Sequence, residues 1–175
     1  RLTETVLSNP KDQDEKYESD FRERDYGSDP LVRTRHVNAV LDGMKKNSVW
    51  PAIKHFPGSY SEEVKKFRYR IPVVTKEEKY EEALFPYFDT PFNEMDGNEL
   101  IPFKNASQKQ LVMLAHLFSP RLNEKMGDSP DLPIMFSQRV ITNYLKKKLG
   151  YKVVMVDDLT VIEKYCLKNP RASKS

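Results

Sequence analysis

The 175-residue chain lacks several features that would point to common classes of protein. It has one cysteine, Cys166, which excludes an internal disulfide framework and a cysteine-rich metal site. Its longest apolar runs, such as residues 111–117, are far shorter than the roughly 20 residues that cross a bilayer. No membrane span is therefore expected, and we also expect no cofactor and no metal. The sequence begins at Arg1 without an apolar leader, so any targeting signal would lie upstream, and we expect the start to be missing.

The charges do not favour a nucleic-acid partner. Twenty-nine basic and 26 acidic side chains give a formal net charge of +3, and both signs are scattered along the chain. Phosphate backbones are bound by clustered Lys and Arg, and no such stripe is present. With 38% hydrophobic residues, the chain has enough apolar material for one compact domain.

Secondary-structure signals alternate between helix and strand. Residues 1–29 are polar without a sustained period and predict an arm or loop. Asp29 followed by Pro30 predicts the start of a helix that ends near Asn47. Further predicted elements are a strand at 49–53 weakened by Pro51, an irregular segment at 87–97, a buried strand at 111–115, a helix capped by Ser137 and ended by Gly150, a strand at 153–156 and a helix from Leu159. This alternation predicts an α/β fold with parallel strands.

Three predicted strands end in polar residues, which are Lys54 and His55, His116, and Asp157 with Asp158. Sites in parallel α/β folds are built at that edge, because the strands hold the side chains rigidly around one opening. Each residue also has a structural interpretation. The aspartates can cap the following helix, His116 can be a hydrogen-bonded core residue, and Lys54 can be a solvated strand end. We interpret Lys146, Lys147 and Lys148 as a solvated helix face.

Five motifs together resemble glycoside hydrolase family 3, in the branch of bacterial β-N-acetylhexosaminidases. They are RDYGSDP at 24–30, KHFPG at 54–58, VMLAH at 112–116, LGY at 149–151 and VDDL at 156–159, in the family's order and approximate spacing. The resemblance implies a partial (β/α)8 TIM-type barrel, with its later part at 30–165 and a tail at 166–175. It also implies that further segments of the same protein complete the barrel.

The resemblance assigns roles to individual residues. Arg24, Lys54, His55 and His116 are expected to bind a sugar, because a lysine and an imidazole can donate hydrogen bonds to vicinal hydroxyls. Asp157 is expected to be the nucleophile of retaining hydrolysis of β-linked N-acetylglucosamine in cell-wall-derived glycans, through a covalent glycosyl-enzyme.

The sequence departs from this branch at the general acid/base. The Asp-x-His dyad of the family corresponds to Lys66 and Arg68, which are normally charged at neutral pH and cannot accept a proton. Three explanations are open. Glu62 or Glu63 has taken over the role, the acid comes from outside this chain, or the protein is a non-catalytic sugar-binding or scaffolding relative.

Overall fold

The computed structural model describes residues 26, 29–58, 88–156 and 159–168, and the backbone of residues 3–4. Within these residues, four strands form one parallel sheet in the order β1-β2-β3-β4, with the bounds Thr3–Glu4, Ala52–Phe56, Leu111–Leu114 and Val153–Met155. Parallel strands need crossover connections, and helices supply them here. The α/β class with parallel strands is thus confirmed, and the sheet is a partial barrel of the (β/α)8 type.

Helices occupy each connection. Helix α1 spans Pro30–Lys46 and precedes β2; α2 (Phe92–Gly97) and α3 (Ile101–Lys104) precede β3. Between β3 and β4 lie α4 (Pro120–Met126), a 3₁₀ turn (Ile134–Phe136) and the π-helical segment α5 (Arg139–Lys148). Helix α6 (Leu159–Lys168) follows β4. No helix among the described residues is both long enough and apolar enough to cross a bilayer.

Helix α1 begins and ends where its local signals predict. The Asp29 carboxylate accepts hydrogen bonds from the backbone N–H groups of Leu31 and Val32, at 2.8 and 2.9 Å. These bonds lower the pKa of Asp29. Asn47 forms the C-cap. The cap and the proline at the first helical position fix the start of the helix without help from tertiary contacts.

Strand β2 begins three residues later than predicted. The backbone N–H groups of Ser48 and Val49 donate back to Lys45 and Met44, so the end of α1 continues as a turn through these residues. Pro51 has no N–H to donate to a ladder. Val49 and Trp50 are consequently exposed, by 39% and 68%. The strand runs on to Phe56, so Lys54 and His55 lie within it rather than after it.

Two other predictions were wrong in part. Residues 1–29 were expected to form an arm or loop, but Thr3 and Glu4 pair in parallel with Ile53 and Lys54. The segment 87–97, expected to be irregular, contains helix α2. Helix α6 ends at Lys168, and the predicted domain boundary at 165 stays a prediction. Thr75, with Glu78 three residues later, also predicts a capping box at the start of a helix, and both residues lie outside the described residues.

The core lies between the sheet and its helices. Strand β2 contributes Ile53 and Phe56, and the Phe56 ring packs edge-on against Phe103 with centroids 5.2 Å apart. Other members of the same buried cluster are Val37, Leu41, Val112, Leu114, Leu122, Val140, Tyr144 and Leu145. The packing fixes the sheet against α1 and α5, and the sheet in turn fixes the positions of the strand ends.

Candidate functional site at the carboxyl edge of the sheet

Lys54 and His55 are the third and fourth of the five residues of β2, directly before Phe56 at its carboxyl end. Both are partly buried, whereas Ala52, Ile53 and Phe56 are fully buried. The register of β2 against β3 shifts between Ile53 and Phe56. The Lys54–His55 and Phe56–Pro57 peptide bonds are both cis. Because Ile53 and Phe56 are fully buried on either side, they anchor Lys54 and His55 in the strand.

His116 lies at the same edge on the neighbouring strand. The Ala115 N–H donates to the Phe56 carbonyl oxygen at 2.8 Å, which continues the β2–β3 ladder past Leu114. His116 follows directly and is partly buried. The structure thus brings Lys54, His55 and His116 to the carboxyl ends of adjacent parallel strands, the edge where α/β folds place their sites.

The loop that carries His116, residues 116–119, is held from two sides; we call it the β3 loop. The Phe88 N–H donates to the Phe118 carbonyl oxygen at 2.8 Å, and the Ile134 N–H donates to the Leu117 carbonyl oxygen at 3.1 Å. Phe118 also forms an antiparallel bridge with Pro133. Leu117 and Ser119 are almost fully buried. Backbone bonds from distant segments thus fix the β3 loop.

Side chains that the sequence did not single out reinforce this edge. Arg121 lies at the start of α4, and its Nε is 3.1 Å from Asp89 Oδ1, while its Nη1 donates to Glu124 Oε2 at 3.3 Å. Asn123 is fully buried in the same helix. The Arg121–Asp89 pair joins residues 32 positions apart in the chain, so no local pattern could have revealed it.

The side chain of Ser137 makes two hydrogen bonds at the start of α5. Its Oγ accepts a hydrogen bond from the Val140 N–H at 3.1 Å and donates to Asp128 Oδ2 at 2.7 Å. The helix that follows continues with π-type bonding, since the Leu149 N–H donates to the Tyr144 carbonyl oxygen five residues earlier. Ser137 thus ties the start of α5 to Asp128, which follows α4.

The remaining predicted site residues, Arg24, Glu62, Glu63 and Asp157, lie outside the described residues, so their roles stay predictions. Two neighbours of this set are described. Val156 follows β4, whose Met155 pairs with Met113 of β3. Tyr26, two residues after Arg24, stacks on His36 with ring centroids 6.0 Å apart, and partial burial raises the pKa of its phenol.

The described part of the chain contains no group of three or more His, Cys, Asp or Glu side chains that could hold a metal ion. What the described edge offers is a lysine and two imidazoles on rigid strand ends. Such groups form directional hydrogen bonds to a polar ligand.

The parallel sheet and the polar residues at its carboxyl edge place the protein in the class of α/β domains of (β/α)8-barrel type. The family follows from the sequence profile. Residues 13–173 match the glycosyl hydrolase family 3 N-terminal domain, so the chain belongs to this family. The resemblance drawn from the five motifs is thereby confirmed.

Curated and solved proteins agree with this assignment. The chain is 27% identical over 143 residues to β-hexosaminidase A of Pseudoalteromonas piscicida, covering 77% of this chain and 21% of that protein. It is 26% identical to the solved β-N-acetylglucosaminidase of Thermotoga maritima, with a TM-score of 0.60, covering 92% of this chain and 28% of that one. NagZ of Neisseria gonorrhoeae shares the fold at 21% identity, with a TM-score of 0.62, covering 99% of this chain and 42% of that one. The chain thus spans between about a fifth and two fifths of these relatives.

Proposed function

We propose that the chain is part of a glycoside hydrolase of the β-N-acetylhexosaminidase type, which hydrolyses β-linked N-acetylglucosamine in cell-wall-derived glycans with retention of configuration. The observation that carries the proposal is the placement of Lys54, His55 and His116 at one edge of the parallel sheet of a family 3 domain. The names of the relatives supply the substrate class.

In the proposed mechanism, the sugar is bound by Arg24, Lys54, His55 and His116. The lysine and imidazole groups hydrogen-bond its hydroxyls, and the strands limit their motion. The Asp157 carboxylate attacks the anomeric carbon and forms a covalent glycosyl-enzyme, while an acid protonates the departing glycosidic oxygen. The same acid group, now a base, then takes a proton from the water that releases the sugar.

The sequence also favours a second candidate. Lys66 and Arg68 replace the acid/base dyad, which supports a non-catalytic sugar-binding or scaffolding relative. In such a protein the sugar contacts would be kept and the turnover lost. The two candidates differ in one measurable property, because only the enzyme releases product from a bound glycoside.

The test uses a chromogenic N-acetylglucosaminide together with calorimetry of N-acetylglucosamine binding, on the full-length protein. For the enzyme, Asp157→Asn is expected to abolish turnover and to leave sugar binding largely intact, because the amide keeps the shape but loses the anionic nucleophile. Asp158→Ala is the control, because alanine, unlike asparagine, cannot cap a helix. A cap to the next helix is its expected role, so its loss should cost about 1 kcal/mol of stability and leave turnover in place. Equal turnover in Asp157→Asn would remove Asp157 from the mechanism.

The acid is located by replacing Glu62 and Glu63 separately with glutamine. If one of them is the acid, its loss should slow substrates with poor leaving groups most, because these need protonation, and spare glycosylation by activated aryl glycosides. If neither change affects either substrate class, the acid lies outside this loop. Sugar binding by a full-length wild type that turns over no substrate would establish the non-catalytic candidate.

The proposed partner is a further part of the same protein that completes the barrel. Strand β4 lies at one end of the described sheet, and its Val153 is 38% exposed. On α6, Leu159 and Leu167 are each 72% exposed. Additional strands and helices would cover these apolar groups. An intact mass of the native product well above 20.5 kDa supports this proposal, and a mass equal to it contradicts it.

A further inference from the structure

The segment behind the β3 loop is residues 129–134, which we call the return segment. It supports the loop directly, because the Ile134 N–H donates to the Leu117 carbonyl oxygen at 3.1 Å and Pro133 bridges to Phe118. Leu117 is the residue after His116. A shift of the return segment would therefore be passed to His116 through one peptide unit.

Asn123 fixes the return segment. It is fully buried in α4, and its Nδ2 donates to the carbonyl oxygens of Ser129 at 3.0 Å and Leu132 at 2.6 Å. Both amide hydrogens are thus used, one at each end of the turn that leads into Pro133. The backbone oxygen of Asn123 accepts from the Asp128 N–H at 2.8 Å, which closes the connection between α4 and the return segment.

Few side chains can replace Asn123 at this position. Two carbonyl oxygens converge on one side chain, so the side chain must supply two donors from a single atom. Aspartate would place an acceptor against both carbonyls, and leucine would leave them without a donor. Replacing Asn123 therefore removes the hydrogen bonds that hold both ends of this turn.

We propose that Asn123 is a positioning residue for His116, acting through the return segment and the β3 loop. The effect on sugar affinity rests on the proposed function, in which His116 contacts the sugar. Polar groups that bind a sugar must be held to a fraction of an ångström, and a displacement of about 1 Å at a site can cost about a hundredfold in rate. Asn123 itself does not contact the substrate in this proposal.

The test compares Asn123→Leu with Tyr151→Phe in the full-length protein. Tyr151 is a matched control because its buried hydroxyl also donates to a backbone carbonyl, that of Phe103 at 2.9 Å, but lies at the amino end of β4. Both variants lose side-chain donors to backbone carbonyls and should lower the melting temperature. Only Asn123→Leu is expected to shift or broaden the His116 imidazole signal in ¹³C–¹H NMR, which is assigned from its absence in His116→Gln.

The functional readout is calorimetry with N-acetylglucosamine. We expect Asn123→Leu to weaken binding at least fivefold and Tyr151→Phe to leave it unchanged. If Asn123→Leu does not fold, Asn123→Ser, which keeps one donor, replaces it with a smaller expected effect on both readouts.

Each outcome separates the inference from the proposed function. An unchanged His116 signal in the Asn123 variant overturns the inference, and so does an equal change in Tyr151→Phe, which would indicate general loosening. A changed His116 signal with unchanged affinity, in a wild type that binds N-acetylglucosamine, overturns the link to binding. If the wild type does not bind the sugar but the Asn123 variant alone changes the His116 signal, the positioning role stands and the proposed sugar contact fails.

Discussion

The two edges of the parallel sheet use polar groups in different ways. At the amino edge, polar side chains donate hydrogen bonds to backbone carbonyl oxygens. Tyr151 Oη donates to Phe103, and Lys109 Nζ donates to Lys104 at 2.7 Å. At the carboxyl edge, backbone bonds and Asn123 hold the β3 loop. Lys54, His55 and His116 lie partly exposed on this framework.

The difference separates stability from binding. Polar side chains at the amino edge satisfy buried or partly buried carbonyls, and their removal leaves those carbonyls without these donors, which lowers the free energy of unfolding. At the carboxyl edge the supporting bonds and the proposed ligand-binding groups are different residues. Changes to Lys54 should therefore act on sugar binding, and changes to Tyr151 on the fold.

The largest expected effect is on sugar affinity, and it distinguishes Lys54 at the carboxyl edge from Lys109 at the amino edge. Lys54→Met should weaken N-acetylglucosamine binding about tenfold to a hundredfold, since a hydrogen bond to a charged group contributes about 1.5–3 kcal/mol. Lys109→Met, which loses the bond to the Lys104 carbonyl at the amino edge, should leave the affinity unchanged. Calorimetry of the full-length protein measures both. Equal losses of affinity would show that the two edges do not divide binding from stability.

A smaller effect is expected at the amino edge itself. Tyr151→Phe should lower the free energy of unfolding by about 1–2 kcal/mol, because the buried Phe103 carbonyl loses its donor. Urea denaturation measures the change, with sugar affinity as the control. A variant as stable as the wild type would mean that the Tyr151 bond contributes nothing to the amino edge.

The smallest effect concerns Tyr144, whose buried hydroxyl has no hydrogen-bond partner among the described residues. Tyr144→Phe should change the free energy of unfolding by less than about 1 kcal/mol at pH 7, towards greater stability, because an unpaired polar atom leaves the core. The opposite sign from Tyr151→Phe is the sharp expectation. Destabilisation comparable to that of Tyr151→Phe would indicate that the Tyr144 hydroxyl is bonded.

The same tyrosine gives a pH dependence. Burial first, and then the charge of Asp96, raise the pKa of Tyr144 from 10.0 to about 12. The folded pKa lies above the unfolded one. The free energy of unfolding that depends on keeping this phenol protonated is therefore complete below pH 10 and is lost as the pH rises towards 12. Between these values Tyr144→Phe should lose less stability than the wild type. Urea denaturation at several pH values measures this, and equal losses of unfolding free energy in the two proteins would contradict the expectation.

Local signals predicted those elements whose boundaries are set by neighbours in the chain. Asp29 and Pro30 start α1, because a capping carboxylate and a proline act within one turn. The apolar run at 111–115 predicted β3, and Leu159 begins α6 as expected. The start of β2 was misplaced, since the helix-ending turn at Ser48 and Val49 extended further than the apolar pattern suggested.

By itself, the sequence determined the α/β class, the family and the identity of the polar residues at the strand ends, because periodicity and motifs are properties of consecutive residues. Tertiary structure alone decided the pairing of Thr3 and Glu4 with β2 and the buried position of Asn123. The pairing joins residues about 50 positions apart. The Asn123 bonds depend on where α4 packs, and a short polar residue in a seven-residue helix gives no local sign of burial. Contacts of this kind arise only when the chain has folded, since packing brings together groups that no local pattern relates.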